Sequence, residues 1–159
     1  MEKILISSCF LGNKVRYDGG DNLLDNATLQ AWKKDNRLVV ICPELAGGLA
    51  IPRAPAEIKF SGETITVKTI TGDDVTNAFE QGAQQALLLC QRYGIRYALL
   101  KESSPSCGST TIYNGEFSGQ KIAGQGVTTA LLRAHGIQVF SEKNLSTLIS
   151  ELSRVDAES

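Results

Sequence analysis

The sequence lacks the features that mark a large charged or apolar partner. No run of Lys or Arg stands out, and 16 basic residues against 17 acidic ones leave a formal net charge of −1. A phosphate backbone therefore finds no continuous electrostatic footprint, and nucleic acid is not expected as a partner. Nowhere do roughly eighteen uncharged apolar residues follow one another, the minimum for a membrane-spanning helix. The opening Met1-Glu2-Lys3-Ile4-Leu5-Ile6 enters an apolar run too short for a signal-peptide core. The expectation is a soluble, cytoplasmic protein with no membrane partner. Internal repeats, low-complexity stretches and linkers are also missing. Cysteine is sparse: four in 159 residues are too few for a disulfide scaffold, and a reducing cytosol keeps them as thiols. They are to be read as ligands, nucleophiles or core residues.

What is present suits one α/β domain spanning residues 1–159, with 42% hydrophobic residues to fill a core. Short branched apolar runs at Lys3–Ser7, Leu38–Ile41, Arg96–Lys101 and Ile137–Phe140 end abruptly in polar or Gly/Pro-containing sequence, as buried parallel strands do. Between them the text predicts helices at Ala27–Lys34, Asp74–Tyr93, Val127–His135 and Leu145–Arg154. In the longest, Phe79, Ala83, Ala86, Leu87 and Cys90 recur at three- and four-residue spacing, and Gly94 stands at the C′ position. Residues 57–69 alternate around Ser61-Gly62-Glu63 and predict a β-hairpin. This order implies a Rossmann-like, mostly parallel sheet with helices on both faces and a small hairpin excursion. The tail after Arg154 is expected to be loose.

In such folds ligands collect beyond the carboxyl ends of the strands, where separate loops converge. Cys9 follows the first strand, Cys42 closes the second, and Cys107 lies in the loop after the third. Their loops are rich in Gly, Pro and Ser, which let backbone approach a metal centre and supply N–H donors to its sulfurs. A closed structural site normally takes four ligands, so three thiolates imply an open coordination position. An iron–sulfur cluster satisfies that count. Zinc with a water, or with a carboxylate or His135 as fourth ligand, satisfies it too. Three unrelated core cysteines are the bland alternative, disfavoured because core cysteines prefer strand and helix interiors. Cys90, mid-helix on the apolar stripe, is such a core residue.

Several short motifs occur in order: Ser8-Cys9-Phe10-Leu11-Gly12, Val15-Arg16-Tyr17-Asp18-Gly19-Gly20, Cys42-Pro43-Glu44, Gly47-Gly48-Leu49, Pro52-Arg53, Ser103-Ser104-Pro105-Ser106-Cys107-Gly108 and Gly124-Gln125-Gly126-Val127-Thr128. Together they resemble the 2-thiouracil desulfurase family over almost the whole chain. The resemblance implies a Rossmann-like domain that binds a 4Fe-4S cluster through three cysteines, matched here by Cys9, Cys42 and Cys107. It implies a fourth iron free to take the sulfur of a thiolated nucleobase, a small-molecule substrate. One departure is visible, because many relatives carry a further cysteine where this chain has Val15.

The expected reaction is non-redox removal of sulfur, 2-thiouracil giving uracil and sulfide, at the open iron acting as a Lewis acid. Glu44, two residues from Cys42, is the candidate general acid or base, against the alternative of a solvated loop carboxylate or cap. Ser103 is the candidate for binding the ring or orienting water, against a hydroxyl that fixes its own turn. Lys101 reads as a strand end in solvent and Arg16 with Asp18 as a loop pair. His135 reads as a helix C-terminal residue and Gly124-Gln125-Gly126 as a close-packing site. Two other classes stay open: a non-enzymatic iron–sulfur or zinc sensor using the same ligands, and a metal-free cysteine nucleophile.

Overall fold

The computed structural model describes residues 1–158. Ser159, the last residue of the expected domain span, lies outside the described residues. Four strands, β1 (Ile4–Ser7), β2 (Leu38–Ile41), β5 (Tyr97–Leu99) and β8 (Gln138–Phe140), form one sheet in the order β2-β1-β5-β8. Every pairing is parallel. The two-residue period of β1 divides the core: Leu5 packs into one apolar cluster, Ile4 and Ile6 into the other. On Leu5's side lie Ala86, Leu87 and Cys90 of α3 (Thr76–Tyr93) and Leu132 of α4 (Val127–Ala134). The opposite side holds Leu29 and Trp32 of α1 (Ala27–Lys34) with Leu148 and Leu152 of α5 (Leu145–Glu158). Helices on both faces thus bury the central strands β1 and β5 completely, as their unalternated apolar runs require, while the edge strand β2 stays exposed at Val40.

Local chemistry sets the element ends. The Asn26 side chain accepts from the N–H groups of Thr28 and Leu29 and starts α1. Gly94, at φ 64°, closes α3 in the left-handed region. Asp74, expected as the first residue of α3, instead accepts from the Thr76 N–H and hydroxyl, and the helix begins at Thr76. The expected hairpin is β3 (Ala56–Ser61) and β4 (Thr64–Thr69), turning at Gly62-Glu63.

Three elements were not expected. A 3₁₀ turn at Ser8–Leu11 carries Cys9, a one-turn helix α2 (Pro43–Ala46) follows Cys42, and a second hairpin joins β6 (Thr111–Tyr113) to β7 (Lys121–Ala123). The loose tail is a correction. Helix α5 continues to Glu158, where Asp156 forms a two-point ion pair with Arg37 at 3.0 and 3.2 Å and Val155 packs against the core. That clasp joins positions 119 apart in the chain, so no local pattern announces it. No helix among the described residues is long and apolar enough to cross a membrane.

A three-thiol cavity at the strand ends

Cys9, Cys42 and Cys107 line one cavity of about 390 Å³ beyond the carboxyl ends of β1, β2 and β5. Each is placed by a different local device. Cys9 sits in the 3₁₀ turn, where its carbonyl accepts from the N–H groups of Gly12 (3.2 Å) and Asn22 (3.0 Å). Cys42 stands at the N-terminus of α2. No full cap hydrogen bond reaches its sulfur, yet the N–H groups of Leu45 and Glu44 point toward it and favour its thiolate. Helix α2 in turn rests directly on α3, because Gly47 and Gly82 leave no side chain between the two backbones. A Cβ at either would come within 1.9 Å of the opposing carbonyl oxygen, Ala78 or Pro43.

Cys107 is strapped from both sides. Its N–H donates to the Ser104 hydroxyl at 2.7 Å, and its carbonyl accepts from the Thr129 hydroxyl at 2.9 Å. Gly126 closes the strap, since a Cβ there would fall 2.4 Å from the Ser106 carbonyl. The Gly124-Gln125-Gly126 segment is thus a close-packing element.

Cys9 and Cys107 are buried and Cys42 is partly exposed. Burial raises all three thiol pKa values, that of Cys107 to about 12. The sulfurs lie close enough to feel charge on one another: Cys42 raises the pKa of Cys9, and both raise that of Cys107. Among the described residues, no group of three or more His, Cys, Asp or Glu is set tightly enough to grip a single metal ion. Three soft thiol donors at one cavity suit a soft-metal centre such as an iron–sulfur cluster. A metal there would draw the protons from thiols that burial otherwise keeps neutral. Cys90 lies elsewhere, buried in α3, with burial alone lifting it to about 11.

Glu44 also lines the cavity. Its Oε2 accepts from Arg53 Nη2 at 3.0 Å, and the same nitrogen donates to the Val15 carbonyl at 3.0 Å. Arg53 Nη1 donates to the Ala50 carbonyl at 3.1 Å, while Nε is buried without a partner. Val15 lines the cavity and packs on the core.

Ser103 lines the cavity with φ 68°, and its hydroxyl shares a hydrogen bond of 2.9 Å with Thr111. That hydroxyl therefore fixes the turn and borders the cavity at once. Lys101 also lines the cavity. Rather than ending its strand in solvent, its Nζ pairs with Glu142 at 2.6 Å. Arg16 and Asp18 form an exposed loop pair at 3.2 Å, and the Gly20 N–H, then Arg16, hold the Asp18 carboxyl below the usual range. His135 is outside the cavity lining; its Nδ1 lies 3.0 Å from the Leu131 carbonyl at the end of α4.

Two residues of the site, Arg53 and Glu102, escaped sequence reasoning. Glu102 is 4% exposed, and its carboxylate accepts from the N–H groups of Ser103, Ser109, Thr110 and Thr111 and from the Ser109 hydroxyl. Burial alone would raise its pKa, but these donors outweigh burial and hold it at about 2. Glu102 thereby folds the 102–111 loop, including Ser103 and Cys107, around one anion. An acidic residue at a strand end was the only signal available.

Fold and site together define a Rossmann-like α/β protein with a three-thiol centre at the carboxyl ends of a parallel sheet. The 2-thiouracil desulfurase family model matches residues 4–144, and the chain belongs to that family. A curated relative, the uncharacterized protein YbbK of Bacillus subtilis (strain 168), is 41% identical over 152 residues, covering 92% of this chain and 99% of its own. A solved structure described as the [4Fe-4S]-dependent thiouracil desulfidase TudS is 54% identical with a TM-score of 0.91, covering 96% of this chain and 99% of that one.

Proposed function

We propose that the protein is a 4Fe-4S-dependent desulfidase that converts 2-thiouracil to uracil and sulfide without net electron transfer. The observation that carries the reading is the meeting of Cys9, Cys42 and Cys107, from three separate strand-end loops, with Glu44 at one cavity. The family, and the TudS structure in particular, support it. Cys9, Cys42 and Cys107 would hold the cluster as thiolates. Bound there, the cluster supplies one iron without a protein ligand, a Lewis acid matched to a thiocarbonyl sulfur.

The remaining roles belong to the chain's own side chains. Glu44 takes a proton from the attacking water and returns it to the ring nitrogen or departing sulfur, its one-point contact with Arg53 leaving Oε1 for that work. Ser103, bonded to Thr111 on one side, offers its remaining capacity to a ring oxygen or the water. Glu102 and Glu142 fix the loop and Lys101 so that neither drifts as charge develops. The partner is a small thiolated base, in keeping with a sequence of nearly balanced charge that carries no run of Lys or Arg.

The test is anaerobic reconstitution followed by counts of iron and labile sulfide, then addition of 2-thiouracil with uracil and sulfide measured. About four irons with turnover is the expected result. Zinc, or a cluster inert toward several thiolated bases, would replace the reading with a sensor or binding role for the same cysteines.

A further inference from the structure

Arg53 is an arginine whose fork is only partly used. Its side chain is 9% exposed in a wall of the cavity, and its three nitrogens are unequally employed. Nη1 is anchored on the Ala50 carbonyl and Nη2 on the Val15 carbonyl, so the guanidinium is fixed to backbone from two loops. The second Nη2 proton goes to Glu44, and Nε–H is buried with nothing to receive it. In a guanidinium, Nε–H and one Nη2–H lie parallel along one edge and suit both oxygens of a carboxylate. Glu44 thus rests on the nitrogen beside a vacant seat, although the edge is built for two-point contact. An unmade buried donor is costly enough to demand a use.

Resting on the proposed proton-transfer role of Glu44, we propose that Arg53 is a positioning residue that acts through Glu44. Anchored by donation to the Ala50 and Val15 carbonyls, it holds one Glu44 carboxylate oxygen and keeps the other turned to the substrate. The idle Nε–H lets the carboxylate close from one contact to two without the guanidinium moving, so Glu44 has a short, defined travel. Charge alone does not supply this. A lysine ammonium has no planar edge and cannot hold Ala50, Val15 and Glu44 in one plane.

The experiment is a double-mutant cycle on cluster-loaded protein with 2-thiouracil, with kcat expressed per intact cluster from iron and labile-sulfide counts on the same sample. Glu44→Gln is expected to lower kcat by about 100-fold, the low end for loss of a general acid or base. Arg53→Lys, which keeps the charge, is expected to lower kcat by about 10-fold or more while KM stays within about twofold, since misplacing a catalytic group costs rate up to about 100-fold. The double variant is expected to be no slower than Glu44→Gln alone, because the two residues act as one unit. Losses that multiply in the double variant, or an Arg53→Lys protein with unchanged kcat, would overturn the proposal. An Arg53→Lys protein that loads no cluster would overturn it too, making Arg53 part of the metal scaffold. A fully active Glu44→Gln protein would instead remove the proton-transfer role of Glu44 and, with it, the premise of this one.

Discussion

Gly47 and Gly82 set the backbones of α2 and α3 in direct contact: a Cβ on Gly47 would meet the Ala78 carbonyl oxygen, and one on Gly82 the Pro43 carbonyl oxygen, each at 1.9 Å. Because Cys42 and Glu44 sit at the start of α2, this contact sets their height above the sheet. Gly82→Ala would ordinarily gain about 1 kcal/mol of helix propensity. Here the obstacle is backbone, which cannot rotate away, so overpacking wins and a net loss of about 1–3 kcal/mol is expected. At this chain length each kcal/mol lowers Tm by about 2–4 °C. Calorimetry should show that loss, and iron content should fall with it. A Gly82→Ala protein with wild-type Tm and full iron would mean that α2 is free to lift.

The Glu102 carboxylate is the pin of the Cys107 loop. Its folded-state pKa of about 2 lies below its ordinary 4.5, so the ionised group adds stability above about pH 4.5 that is withdrawn as pH falls toward 2. Glu102→Gln should cost on the order of 2 kcal/mol at neutral pH, the worth of hydrogen bonds to a charged acceptor. It should also flatten the acid limb of the stability profile, read by denaturant unfolding between pH 2 and 7. An acid limb identical in the variant would assign that limb to other carboxylates.

Cys90 separates burial from ligation. Cys90→Ala should destabilise by about 1 kcal/mol through lost packing and leave iron content and turnover per cluster untouched. Cys9→Ser, Cys42→Ser and Cys107→Ser should each lose iron. Iron loss in Cys90→Ala without loss of stability would reverse that division.

Among the three site thiols only Cys42 is open enough to alkylate readily in cluster-free protein. Burial raises its pKa, the Leu45 N–H opposing, so the thiolate is scarce near neutrality. Alkylation of Cys42 by iodoacetamide, followed by mass spectrometry, should keep accelerating beyond pH 9. A plateau near pH 8 would show that the N-terminus of α2 outweighs burial. The same direction fixes the sign for stability: thiols raised in the folded state stabilise the cluster-free protein below pH 9, and that contribution fades as pH climbs toward 12.

The sheet and four long helices could be read from residue order because their signal is local. Ile4 to Ser7 and Leu38 to Ile41 are apolar without alternation, and Phe79 to Cys90 keep a helical period. The three site cysteines were legible for the same reason, each following a recognisable strand. What escaped depends on distant partners. Helix α2 is one turn long and exists through its glycine contact with α3; β6 and β7 are three residues each, and β7 is exposed throughout. Glu102 looks like any strand-end acid until four backbone N–H groups turn toward it, and Arg53 looks like any loop arginine until its burial is known.

The clasp between Arg37 and Asp156 bears on where this chain tolerates a cut. Arg37 is nearly enclosed, stacked near Trp32 at 5.8 Å and donating through Nε to the Glu2 carbonyl. The residues after Arg154 look dispensable by composition, yet shortening the protein there would strip the carboxylate from a sequestered guanidinium and unseat Val155 from beside the core. The final turn of α5 thus works as a latch on the sheet's outer edge, and tags or fusions belong beyond Glu158 rather than in place of it.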